Sequence, residues 1–362
     1  MSTIEIKKLT KNFGNFTAVR DADLSVKAGE VVCLLGPSGC GKTTTLRMIA
    51  GLERATSGDV MIAGQRMNEL APEKRNIAMV FQFYALYPAL TIGQNISMPL
   101  HYENLSKDET DARVMKVAKI LHLTDVLDRM PGQVSEGEKQ RIAVARAIVR
   151  DPNCFLFDEP LSRLDVELRH SMRSQIKEVL QGLSKATVIV THDQLEALTM
   201  ANRIAIMREG LIEQVGSPHD VFAKPVNVFV ASFIGTPQMN LVEGDLKGFD
   251  DGRASISIAG HDLDIIVDPA VSRLKASRVT VGIRPRAFLP VSDRGSDTIS
   301  AEVELIEPMG AETLIHARTL IGGNIRVVIP REKRLKIGEA LHLKPDPKQT
   351  HVFDEQGKAV RA

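Results

Sequence analysis

Gly36-Pro37-Ser38-Gly39-Cys40-Gly41-Lys42-Thr43 matches the phosphate-cradling pattern G-x-x-x-x-G-K-S/T without a gap. The chemistry needs these residue types. Glycines let the main chain bend sharply and come close, so that successive amides and the start of a following helix face one polyanion. Lys42 is placed to reach the outer phosphates, the Thr43 hydroxyl to ligate magnesium, and Thr44 extends the same helix start. A glycine-rich turn without a ligand is the plainer alternative, and the apolar run before the loop and the helical run after it argue against it.

Further along, Cys154-Phe155-Leu156-Phe157 ends in Asp158-Glu159. Two adjoining carboxylates at the end of a buried-type strand repel each other unless a cation or a proton intervenes. Asp158 is therefore a candidate magnesium anchor and Glu159 a candidate base for an attacking water. Thr187 to Val190 is another β-branched run and leads into Thr191-His192-Asp193. A histidine at the carboxyl end of such a strand lies on the edge where open α/β sheets bind ligands. Taken alone, a histidine after a strand is more often an ordinary loop residue.

The elements that must position these groups follow from the pattern. Val31 to Leu35, Ile77 to Phe81, Cys154 to Phe157, Thr187 to Val190 and Arg203 to Met207 read as buried strands. Helical periodicity runs through Thr43 to Ala50, Lys107 to His122 and Lys139 to Val149. After about Gly235 the character changes to alternating strands, as in Ser255 to Ile258, Val279 to Ile283 and Ile325 to Ile329, which suggests a small β-barrel. Gly235-Thr236-Pro237-Gln238 punctuates the change and divides the chain into domains 1–235 and 236–362.

The 362 residues exceed one compact domain, which agrees with that division. Forty-six basic against forty-five acidic residues leave a net charge of +1, which argues against nucleic acid as a partner. Three irregularly spaced cysteines, Cys33, Cys40 and Cys154, support neither a disulfide framework nor a zinc site. No segment approaches the roughly 20 apolar residues of a membrane-spanning helix. Membrane association is therefore expected to come from a partner.

With these motifs in order, the chain resembles the ATP-binding cassette (ABC) family over nearly its whole length. That resemblance implies an α/β P-loop ATPase core with a helical subdomain, followed by an OB-like regulatory β-domain, with ATP and Mg2+ as ligands. It casts Glu159, His192 and Gln82 as catalytic, and Thr43, Asp158 and Gln82 as metal ligands. Val80-Phe81-Gln82 and the aromatic segment after it resemble the Q-loop, and Leu161-Ser162-Arg163-Leu164-Asp165 resembles the D-loop through which two cassettes communicate. Phe13 matches the aromatic position that stacks on adenine.

The signature segment departs from the family's Leu-Ser-Gly-Gly-Gln and reads Val134-Ser135-Glu136-Gly137-Glu138. Ser135 and Gly137 remain available to a partner's nucleotide. Glu136 and Glu138 add negative charge where a triphosphate would arrive: of little cost if they face solvent, and a loss of turnover if they face the nucleotide.

The family works as a dimer, so the resemblance implies a second ATPase subunit, two membrane-spanning permease subunits and, indirectly, a periplasmic or extracellular substrate-binding protein. It implies a peripheral place on the cytoplasmic face of the cell membrane. Gly282-Ile283-Arg284-Pro285 and Glu307-Pro308-Met309-Gly310-Ala311-Glu312 resemble the regulatory domain of sugar and glycerol-3-phosphate importers. A weakly hydrolysing cassette and a non-transport ABC ATPase are the competing readings.

Overall fold

The computed structural model of the chain describes residues 3–250, 252–258, 261–273, 278–319 and 323–361. By its internal contacts the chain divides into Met1–Pro218 and His219–Ala362, ahead of the Gly235–Gln238 punctuation.

The first unit begins with a long antiparallel hairpin, β1 (Ile4–Phe13) and β2 (Phe16–Val26). There follow β3 (Val31–Leu35), α1 (Lys42–Ala50), β4 (Ser57–Ile62), β5 (Gln65–Arg66) and β6 (Ile77–Val80). A helical stretch holds α2 (Ile92–Ser97), α3 (Lys107–Ile120) and α4 (Glu136–Ile148). The unit closes with β7 (Cys154–Asp158), α5 (Val166–Gly182), β8 (Ala186–Thr191), α6 (Gln194–Met200), β9 (Arg203–Arg208) and β10 (Leu211–Gly216).

Two sheets result, ordered β2-β1-β4-β5 and β10-β9-β3-β8-β7-β6. In the larger one, β6, β7, β8, β3 and β9 run parallel, and only β10 pairs antiparallel with β9. Parallel strands covered on both faces need apolar residues at every position, and β3, β7 and β8 are buried throughout. Alternate residues of these strands, such as Val32, Leu34, Leu156 and Val188, share a core with Leu46 and Ile49 of α1 and with Ile4 and Val60 of the smaller sheet. The consequence for function is geometric. Because β6, β7, β8 and β3 are parallel neighbours, the residues that follow them leave from one edge of the sheet.

The long first hairpin and α5 are elements that the sequence reading did not single out. The five strands it named lie within a residue or two of β3, β6, β7, β8 and β9.

In the second unit, α7 (Pro218–Ala223, reaching back across the division by one residue) and α8 (Val228–Phe233) precede ten strands among the described residues. These are β11 (Asn240–Asp250), β12 (Arg253–Ile258), β13 (His261–Ile266), β14 (Arg278–Ile283), β15 (Phe288–Val291), β16 (Ile299–Pro308), β17 (Glu312–Thr319), β18 (Asn324–Pro330), β19 (Ala340–Pro345) and β20 (Thr350–Phe353). They form two antiparallel five-stranded sheets, β13-β12-β11-β14-β20 and β15-β19-β16-β17-β18, around one apolar core. This is the β-rich, OB-like unit expected. Buried Asn240 pins the two sheets together: its amide donates to Ile283 O (3.2 Å) and Arg326 O (2.8 Å), and its carbonyl oxygen accepts from Arg326 N (2.8 Å). Arg286 forms a fork on Glu312 with Nε at 3.0 Å from Oε1.

Candidate functional site

The loop after β3 is tied to its neighbours by backbone. A Cβ at Gly36 would sit 2.3 Å from Met207 O of β9, and one at Gly41 would sit 2.4 Å from Ala18 O of β2. Gly41 also takes φ 103°, left-handed backbone that favours glycine, and it caps α1 without any side-chain bond. The first turn of α1 carries no acidic residue and no side-chain cap, so no side chain of its own occupies that helix start. Pro37, Ser38 and Gly39 form the exposed crest, while Cys40 is buried and Thr44 is half-buried on the helix start. The Lys42 ammonium is drawn into the loop and donates to Gly36 O and Pro37 O, both at 2.8 Å.

At the next strand ends, Thr43 Oγ1 donates to Asp158 Oδ1 at 3.1 Å. Burial holds the Asp158 carboxyl above the ordinary carboxylate range despite that bond, and the charge of Glu159 adds to the rise. A hydroxyl beside a desolvated carboxylate is a donor set suited to a hard divalent cation. Magnesium therefore fits the residues present.

Glu159 is where three predicted groups meet. Gln82, just beyond β6, donates Nε2 to Glu159 Oε2 at 3.1 Å, and His192, just beyond β8, brings Nδ1 to 3.2 Å from Oε1. Ser162 supports the turn by donating its hydroxyl to Glu159 O at 3.0 Å. Glu159 itself adopts φ 48°, an uncommon conformation for a residue with a side chain. Gln82 and His192, far apart in sequence, thus converge on Glu159 because β6 and β8 flank β7 and run parallel to it.

Residues 19–162 match the ABC transporter family and residues 281–353 match the TOBE domain. The chain is 41% identical to the lactose transport ATP-binding protein LacK of Rhizobium radiobacter, with both chains covered completely. It is 43% identical to the trehalose/maltose import ATP-binding protein MalK of Thermococcus litoralis, over 99% of this chain and 100% of the relative. A solved dimeric ATP-binding cassette in a post-hydrolysis state, bound to ADP and Pi, superposes with a TM-score of 0.53 at 30% identity, over 59% of this chain and 98% of that one.

This chain belongs to the ABC transporter family.

It is an ATP-binding, ATP-hydrolysing cassette subunit of the sugar and glycerol-3-phosphate import class, carrying a C-terminal TOBE region. Within the cassette, Ser135 and Gly137 stand at the start of α4, away from the bonds made around Glu159. Each acid there has a local partner, although Glu136 itself is exposed. Glu138 folds back and closes a capping box, accepting from Ser135 N and Ser135 Oγ, both at 2.7 Å, while Ser135 Oγ accepts from Glu138 N at 3.3 Å. Glu136 pairs with Lys139 at 2.7 Å. Gly137 is buried against Leu168 of α5, whose methyl would lie 2.8 Å from an added Cβ.

Phe13 is exposed at the end of β1, opposite Phe16, with the Lys11 ammonium 4.7 Å from its ring centroid. Lys11 was not foreseen, although its alternate position along the strand puts it on the same face as Phe13.

The segment after Gln82 presents exposed Phe83 and Tyr87, and it is held from beneath. Arg146 of α4 donates to Ala85 O (2.6 Å) and Tyr84 O (2.8 Å), and buried Asn95 of α2 accepts from Tyr87 N at 2.8 Å. A groove of about 820 Å³ opens there, lined by Phe81, Tyr87, Met98, Tyr102 and Arg146 among others. Among the described residues no helix is long and apolar enough to cross a membrane.

Proposed function

We propose that this cassette energises uptake of a sugar, polyol or glycerol phosphate by closing on ATP with a second cassette and reopening after hydrolysis. The observation that carries this reading is the junction at Glu159, where Gln82 and His192 meet one carboxylate beside the Thr43–Asp158 pair.

In this reading the Gly36–Thr43 loop and the Thr44 helix start bind the triphosphate through amides, with the Lys42 ammonium exchanging its loop carbonyls for phosphate oxygens. Phe13 stacks on the base. Thr43 and Asp158, with Gln82 beside them, hold magnesium, which when bound neutralises phosphate charge and supplies Lewis-acid polarisation. Glu159 accepts the proton of the attacking water, and His192 and Gln82 fix the orientation of that carboxylate. Ser135 and Gly137 meet the nucleotide of the opposite cassette, so a homodimer or a pair with a related subunit completes two sites.

The nucleotide-binding part spans 1–235 and the regulatory part 236–362. Two membrane-spanning permease subunits seat on the exposed aromatic groove behind Gln82, and a substrate-binding protein delivers the cargo from outside. That arrangement places the chain on the cytoplasmic face of the cell membrane.

Glu159→Gln tests the reading. With the full chain assembled with its membrane subunits, turnover is expected to fall by about 100-fold or more while ATP binding persists, the loss typical of a general base. Normal hydrolysis by this variant would remove Glu159 from the role.

A further inference from the structure

Behind His192 lies a charged cluster that the chemistry above leaves unused. Thr191, at the end of β8, donates its hydroxyl to Glu196 Oε2 at 2.6 Å and accepts from Asp193 N at 3.0 Å. Asp193 Oδ1 caps α6 by accepting from Leu195 N (2.8 Å) and Glu196 N (3.4 Å). Its other oxygen faces Arg169 Nη1 at 3.6 Å and Arg173 Nη2 at 3.9 Å. Arg169, one turn into α5, also donates Nη2 to Leu164 O at 2.9 Å.

A single guanidinium therefore touches both the main chain of the Leu161–Asp165 segment and the residue next to His192. The planar fork holds its two partners at a fixed separation, which a lysine ammonium does not. The far side of the cluster is closed by Glu196, only 3% exposed, and by Arg173, so displacing either partner leaves charge unpaired in a poorly hydrated place. The Leu161–Asp165 segment is also fastened to the general base, since Ser162 donates to Glu159 O.

We propose that Arg169 is a positioning residue that couples the seating of the Leu161–Asp165 segment to the placement of His192 against Glu159. The inference rests on the roles proposed above for Glu159 and His192. Leu161–Asp165 resembles the segment through which two cassettes communicate, so arrival of the second subunit would be read by the Leu164 carbonyl and passed through one side chain to the histidine.

Arg169→Gln and Asp193→Asn, singly and together in the full chain with its membrane subunits, test it by kcat, KM for ATP and equilibrium binding of a fluorescent ATP analogue. Each single variant is expected to lose about tenfold in kcat with KM and binding within about twofold, and the double variant to be no slower than the worse single, as for residues acting as a unit. Arg169→Lys should remain slow, because one ammonium cannot span both partners. A merely structural role would instead lower nucleotide affinity and melting temperature together with kcat.

Unchanged kcat, losses that multiply in the double variant, or a parallel fall in binding would overturn the proposal. Should Arg169→Gln not fold, Asp193→Asn decides alone, since asparagine still caps α6. His192→Ala at full turnover would sink the site reading itself, whereas an inactive His192→Ala beside an Arg169→Gln of normal rate would sink this link only.

Discussion

Two helix starts in the first unit meet the same kind of ligand in the proposed cycle, and they are built in opposite ways. The start of α1 is capped by Gly41 with no side-chain bond and no acid in its first turn. The start of α4 is capped by Ser135, carries Glu136 and Glu138 in its first turn, and closes a reciprocal box on itself. An anion arriving at α1 finds free amides and the positive end of the helix dipole. One arriving at α4 finds a carboxylate already holding the Ser135 hydroxyl and amide. The difference shows that a helix terminus is a receptor only while its own side chains leave it open, and that one acid three residues beyond the cap is enough to occupy it.

The strongest way to break the comparison is at the open end. Lys42→Ala removes the one cation gathered into the loop and is expected to abolish measurable binding of labelled ATP with magnesium. Retained binding would show that the amides of α1 suffice by themselves.

Next, Glu138→Gln keeps the box geometry and removes the charge. Turnover should rise by about two- to fivefold if the carboxylate competes with phosphate, a range set by the ~0.3–1 kcal/mol typical of a charge at a helix end. An unchanged rate would mean that the box opens freely when cassettes pair.

On stability rather than on turnover, Ser135→Ala deletes the cap at a cost of about 1 kcal/mol in thermal or denaturant unfolding of the first unit, and no change there would show the box to be idle.

The smallest effect is with pH. The Ser135 hydroxyl and then its amide hold the Glu138 carboxyl below the ordinary carboxylate range. A depressed carboxyl contributes stability that is present above its unfolded value and is lost as pH falls through the folded one. The melting-temperature gap between the parent chain and Glu138→Gln should therefore narrow only in the acid range, below the usual titration of glutamate. A gap that narrows near neutral pH would point to another group.

Much of this site is legible in the sequence because its signals are local. Gly36 to Thr43 is contiguous, and Asp158-Glu159 follows an unbroken apolar run, so pattern alone placed them on strand ends. The convergence of Gln82 and His192 on Glu159 depends on strand order β3-β8-β7-β6, which no local pattern states. Arg169 was invisible for a related reason: in a helix that carries several other charges, nothing in its spacing says that one of them reaches back to Leu164 and across to Asp193. The fate of Glu136 and Glu138 was likewise open, since charge alone does not say which way a side chain folds. In the second unit, alternation announced strands, yet the pairing of two five-stranded sheets through Asn240 rests on contacts far apart in the chain.

The backbone at Glu159 sets a final condition. A side-chain-bearing residue held at φ 48° costs about 1 kcal/mol or more that a glycine would not incur. Replacing it with glycine would thus relax the turn while deleting the proposed proton acceptor. Robustness and turnover are opposed at this single position, and a screen for heat tolerance alone would be drawn toward a well-folded protein that no longer works.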